Sequence, residues 1–190
     1  FARNDRVRLC VPMKLRLRHW PEGGVSLECG PLVFALPIQA HQTRDTTDKH
    51  QSAEFPAWEM RPASPWNYAL CVHEEALDRE IKVTFGPPSL DPWSEPTIRL
   101  TVPARRVRGW TIRHARKLPT YGAELVDPAR NIWRQELITL RGDFRLTPPL
   151  PDPKTLSARL GKSVEEIELI PYGCTMLRIG VFPNGAKARS

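Results

Sequence analysis

The chain has 190 residues, 41% of them hydrophobic, enough to bury a core in one domain, or in one domain with a small appendage. Twenty prolines, about twice ordinary usage, are spread along it and exclude long helices, because proline removes a backbone donor and is confined to turns, bulges and strand edges. The formal charge of +7 permits an anionic partner without requiring one, and no apolar run approaches the ~18 residues of a membrane-spanning helix, so no membrane partner is expected.

From the amino end, Val7, Leu9 and Val11, then Met13, Leu15 and Leu17, alternate with basic residues and slip phase near Pro12. This is the period-two pattern of a half-buried strand broken at a proline. Pro21, Gly23 and Gly24 mark a turn, and residues 25–28 a short strand. After Gly30-Pro31, residues 32–38 (LVFALPI) are apolar on both faces and predict a central, buried strand. Residues 39–52 are polar and read as an exposed loop. The stretch that follows is rich in proline and aromatic rings: Phe55, Pro56, Trp58, Pro62, Pro65, Trp66 and Tyr68.

Residues 70–72 predict a strand, 73–79 a short helix, 81–85 and 97–102 alternating strands, and 133–140 a further strand. Between these last two, residues 104–117 are basic, with Arg105, Arg106, Arg108, Arg113, His114, Arg116 and Lys117 around Trp110. One or two helical turns fit near residues 154–160. Residues 166–170 and 175–182 read as two closing strands joined by a turn at Pro171-Tyr172-Gly173. Eight to eleven short strands at roughly ten-residue spacing predict an all-β fold, an antiparallel sandwich or jelly roll with at most one or two short helices. A barrel is the alternative.

Four patterns suggest chemistry, and three dissolve on inspection. Gly161-Lys162-Ser163 resembles the end of a phosphate-binding loop, but the glycine that loop needs five positions earlier is Leu156, so a capping box over Ser163 and Glu166, or a plain loop, fits better. Cys71 and His73 would share one face of a strand, yet no second pair completes a four-ligand metal set; Cys10, Cys29 and Cys174 are scattered, with no CxxC, and read as buried or half-buried thiols. No spacing marks a nucleophilic triad or a carboxylate pair, so no catalytic residue, metal site or cofactor is assigned. The basic stretch reads as a solvated strand face balanced by Glu124, Asp127 and Glu136, and nucleic acid is not the expected partner.

The fourth pattern stays open. Trp58, Trp66, Asn67 and Tyr68 combine large rings with a side-chain amide. Proline-flanked rings of this kind form rigid platforms for sugar stacking or for docking another domain; they also bury readily when a loop folds back over a sandwich. These four are the candidate substrate-binding or domain-interface residues.

Three motifs in order resemble one known family. Gly30-Pro31-Leu32-Val33-Phe34-Ala35-Leu36 is followed by Pro65-Trp66-Asn67-Tyr68-Ala69-Leu70 and then by the run from Leu169 to Ile179, which contains Pro171-Tyr172-Gly173-Cys174-Thr175. Together they resemble the C-terminal part of glycoside hydrolase family 127-like proteins, the β-L-arabinofuranosidase type. The lead-in Asp5-Arg6-Val7-Arg8-Leu9, with Val11-Pro12-Met13, is similar to a strand of that family, with Asn4 where the family has glycine. The resemblance implies an accessory β-sandwich spanning residues 1–190, incomplete on its N-terminal side, beside a separate (α/α)6 barrel. In characterised members that barrel supplies a cysteine nucleophile and a zinc, and none of those positions maps onto this chain; Cys174 falls in the sandwich portion. The chain opens on Phe1 rather than Met, which suits a piece of a longer protein. The expected partner is that barrel. A carbohydrate-binding sandwich, with Trp58, Trp66 or Trp93 exposed and roughly coplanar on one face, is the alternative, and a basic nucleic-acid-binding domain a more distant one.

Overall fold

A computed structural model describes residues 6–46, 51–127, 129, 130 and 132–186. Asn4 and Asp5 of the family-like lead-in, and residues 47–50 of the polar stretch, lie outside the described residues. So do the side chains of Glu124 and Glu136, two of the expected counter-charges.

The protein is all-β and antiparallel, with two short α-helices among the described residues, and its chain divides into two compact units. The first comprises residues 1–108 and 150–190. It holds a curled nine-stranded sheet built from β1 (Leu15–His19), β2 (Gly24–Cys29), β3 (Leu32–Pro37), β6 (Tyr68–Leu70), β7 (Lys82–Phe85), β8 (Ile98–Arg106), β11 (Glu165–Pro171), β12 (Arg178–Ile179) and β13 (Phe182–Pro183). The main path runs β1-β2-β3-β11-β8-β6, with β13 on β2, β12 on β3 and β7 on β8. A small separate hairpin, β4 (Ala40–Arg44) with β5 (Trp58–Pro62), belongs to the same unit, as do α1 (Leu77–Glu80) and α2 (Pro153–Arg159).

The core explains the order of the strands. Phe34, Leu70, Leu100, Leu169 and Phe182 are wholly buried and come from five different strands, so the sheet must curl for them to meet. The apolar run 32–37 takes the interior place expected of it, with β2 on one side and β11 on the other. It is reached through the two-residue turn Gly30-Pro31. Gly30 has φ +58°, and a Cβ there would stand 2.5 Å from the Met13 sulfur. Glycine alone meets both conditions without strain. Asp152 caps α2 by accepting from the Lys154 N–H at 2.9 Å, which satisfies one orphan donor of its first turn. Gly161-Lys162-Ser163 forms a bend between α2 and β11, the plain-loop alternative rather than a helix start.

Several local expectations change. The alternating N-terminal stretch is a strand only from Leu15 onward; Val7, Leu9, Val11 and Met13 are exposed and belong to no strand. Alternation promotes a strand only where a neighbouring edge and a core face receive it. Cys10 lies in this stretch and is exposed, so it is no core thiol; Cys29 is buried, and Cys71 and Cys174 are half-buried. The polar stretch 39–52 contains β4, and the aromatic stretch contains β5, because the two pair in register from Ala40–Pro62 to Arg44–Trp58. The closing segment 175–182 is not one strand. It breaks at Gly180 and Val181, where the chain leaves β3 and joins β2.

The second unit, residues 109–149, is a two-stranded ribbon: β9 (Arg113–Asp127) against β10 (Ile132–Leu146), each fifteen residues long. The strand expected at 133–140 covers only the first half of β10. Trp110, buried, donates its indole N–H to the Pro149 carbonyl at 3.0 Å and ties the two ends of the unit together.

Candidate functional site

Proline at 65 starts the segment Trp66-Asn67-Tyr68, and Tyr68 opens β6, whose three residues pair with Ala104–Arg106 of β8. This register sets Tyr68 opposite Arg106. The Arg106 guanidinium lies over the Tyr68 ring, 4.4 Å from its centroid. The phenol donates to Glu165 at 2.9 Å, and Arg106 reaches the same Glu165 oxygen from Nε at 3.4 Å. Asn67 completes the cluster: its amide donates to the Val107 carbonyl at 2.8 Å and accepts from Arg106 at 3.4 Å. Burial, together with the hydrogen bond to Glu165, raises the Tyr68 phenol above its ordinary pKa. The phenol is therefore a donor held in place, and the cluster clamps β6, β8 and β11 to one another.

The four sequence candidates are thus divided. Trp66 packs partly buried against the core, and Asn67 and Tyr68 are turned into the clamp. Trp58 stands apart on β5, half exposed. What the clamp borders is a groove of about 430 Å³ lined by Leu36, Ile38, Ser64, Pro65, Tyr68 and Ile167, among others. It lies where β3 and β11 part company: they pair only at Ala35–Ile170 and Phe34–Pro171, while the preceding residues Glu165 to Leu169 of β11 pair with β8.

A second aromatic surface lies at residues 91–93 and 172–178. Trp93 is 68% exposed, and its ring lies against Gly173, where a Cβ would come within 2.6 Å of it. The Cys174 thiol donates to the Pro92 carbonyl at 3.2 Å. Arg178 sits 4.0 Å above the Tyr172 ring and donates to the Thr175 carbonyl. The glycine in the Pro-Tyr-Gly-Cys run was the available signal, since close ring approach needs a residue without a side chain.

The remaining candidates resolve into structural contacts. His73 bonds Glu80 at 2.9 Å rather than turning to Cys71, whose partly buried thiol is raised in pKa by desolvation. Among the described residues no group of three or more His, Cys, Asp or Glu is placed to hold a metal. Of the basic stretch, Arg106 belongs to the clamp, and Arg108 donates to the Ala158 carbonyl at 2.8 Å and accepts, through its own carbonyl, from Arg159 at 3.0 Å. Arg113 and Arg116 lie on the ribbon.

Comparison with protein-family models, with curated proteins and with solved structures returned no match for this chain.

Proposed function

We propose that the chain is the non-catalytic accessory β-sandwich region of a family 127-like glycoside hydrolase, and that it packs against a separate (α/α)6 catalytic barrel of the same protein. The observation that carries this reading is the N-terminal segment. Val7 and Leu9 are 76% and 85% exposed, and Val11 and Met13 are exposed as well, in the segment leading into β1, the edge of the nine-stranded sheet. Exposed apolar side chains beside a sheet edge are the kind of surface a docked domain covers. The three ordered motifs supply the identity of that domain.

The test compares hydrogen exchange of residues 7–13 in this chain alone and in the full natural protein. Protection that appears only in the full protein, and is lost in its Leu9→Asp variant, is the expected result. Equal exchange in both, or a natural protein without a barrel, would overturn the reading.

The carbohydrate-binding alternative draws on one observation, the exposed Trp93 ring fixed against Gly173. On that reading, soluble polysaccharides change the tryptophan fluorescence of the protein and Trp93→Ala removes the change. A response that survives in the variant, or no response in the parent, removes its support.

A further inference from the structure

Between β7 and β8 the chain makes a loop, residues 86–97, closed at its base where the Gly86 N–H donates to the Thr97 carbonyl at 2.7 Å. Its polar groups hold the loop itself. The Ser89 hydroxyl accepts from the Asp91 N–H at 3.0 Å and donates to the Glu95 carboxylate at 2.9 Å. The Asp91 carboxylate accepts from the Ser94 N–H at 3.2 Å, and the Glu95 N–H donates to the Asp91 carbonyl at 3.0 Å. Two further contacts fix the loop to the turn at 172–174: the Cys174 thiol on the Pro92 carbonyl, and the Trp93 ring against Gly173. A loop tied in this way has little conformational freedom left to lose on binding.

Its apolar side chains are left in solvent. Leu90 and Trp93 are exposed, and so are Tyr172 and Met176 on the segment to which the loop is fixed. Rigidly held tryptophan and tyrosine are the residues that most often anchor a protein interface. The charge is just as specific. Residues 86–97 contain Asp91 and Glu95 and no lysine or arginine, in a chain whose formal charge is +7. Hydrogen bonds from Ser94, its side chain first, hold the Asp91 carboxyl below its ordinary pKa. The surface that complements this loop is apolar at its centre and basic at its rim, which fits neither a nucleic acid nor an anionic membrane. A sugar site sets free polar groups beside its ring. Here Ser89, Asp91, Ser94 and Glu95 bond one another, and an exposed leucine is three residues from the tryptophan, so the loop suits a protein better than a glycan.

We infer that the loop at 86–97 is a protein-docking anchor: Leu90 and Trp93 enter an apolar pocket on a companion domain, and Asp91 and Glu95 meet lysine or arginine side chains at its rim. This rests on the reading that the chain packs against a separate domain. It adds a contact carried by residues other than 7–13, and it states what that domain must present. The ring, already held in place, supplies most of the binding, and the carboxylates set orientation.

The test is hydroxyl-radical footprinting of the 190-residue chain and of the full natural protein, read at Trp93. The Trp93 oxidation rate is expected to fall several-fold in the full protein. In the Leu90→Asp variant of the full protein it returns to the rate of the isolated chain, while circular dichroism shows the fold retained, because Leu90 is exposed. Glu95→Gln keeps the acceptor for Ser89 and removes only the charge, and part of the protection is lost with it. Trp93 equally reactive in both proteins, while residues 7–13 gain hydrogen-exchange protection, overturns the anchor and leaves the docking reading standing. If neither gains protection, both are overturned. Protection that Leu90→Asp or Glu95→Gln leaves unchanged also overturns the inference, as does protection of Trp93 in the 190-residue chain by a soluble polysaccharide, which would assign the ring to a glycan.

Discussion

The nine-stranded unit and the ribbon are both built from strands that mix apolar with charged residues, yet they hold together in different ways. In the first unit the apolar side chains have somewhere to go. Phe34, Leu100, Val102, Leu169 and Phe182 come from four strands into one core, and none is measurably exposed. In the ribbon Val126, Ile132, Leu137, Ile138 and Leu140 are left in solvent. Cross-strand pairing alone stabilises by only ~0.2–1 kcal/mol per pair, against ~1.5–3 kcal/mol for fully burying one large apolar side chain. Strand propensity therefore sets local conformation in both regions, but stability resides where a curled sheet closes over its side chains.

The sharpest way to break this comparison is to remove one ring from the core. Phe182→Ala is expected to cost about 3–5 kcal/mol, read as a lowered midpoint in urea unfolding. A midpoint that barely moves would mean that the curled sheet is not the seat of stability.

Next in size is the clamp. Tyr68→Phe removes the hydrogen bond to Glu165 but keeps the ring beneath Arg106, and a loss of about 1 kcal/mol is expected. The same variant carries a pH signature. The Tyr68 phenol has its pKa raised above 10.0 in the folded chain, by burial first and by Glu165 second, so the folded state holds this proton more tightly than the unfolded state does. Its contribution to stability is therefore whole below pH 10.0 and is lost as the pH climbs through the raised folded value. Unfolding midpoints of the parent and of Tyr68→Phe should converge as the pH rises through that window. A constant gap would show that the phenol does not titrate with folding.

The smallest effect belongs to the ribbon. A truncation there, Val126→Ala at an exposed position of β9, is expected to stay within about 0.5 kcal/mol in the same urea measurement. A loss of the size expected for Phe182→Ala would erase the distinction between the two units.

Much of the first unit was legible in the sequence. The doubly apolar run after Gly30-Pro31 fitted only an interior strand, and the clean alternation at 97–102 and 166–170 placed β8 and β11, which turned out to be neighbours. Prolines kept the helices short. The misreadings share a cause. Residues 7–13 alternate as well as residues 97–102 do, but no strand of the described structure pairs with them. β4 is largely polar and owes its existence to β5, which it meets from Ala40–Pro62 to Arg44–Trp58, a pairing that no local pattern reports. The candidate site was only half legible. Its aromatic residues announced themselves, but whether Tyr68 faced solvent or Glu165 depended on a partner 97 positions later in the chain.

Composition and periodicity alone, then, determined that this protein is all-β, that its helices are short and that residues 32–37 are interior, because these follow from which backbone angles proline forbids and which side chains water rejects. Only the tertiary structure decided which alternating stretches became strands, that the residues at 66–68 turn inward while Trp93 stays out, and that the basic stretch divides between a clamp and a ribbon. Those outcomes depend on pairings between distant segments, and a strand's value is set by the neighbour it meets rather than by its own residues.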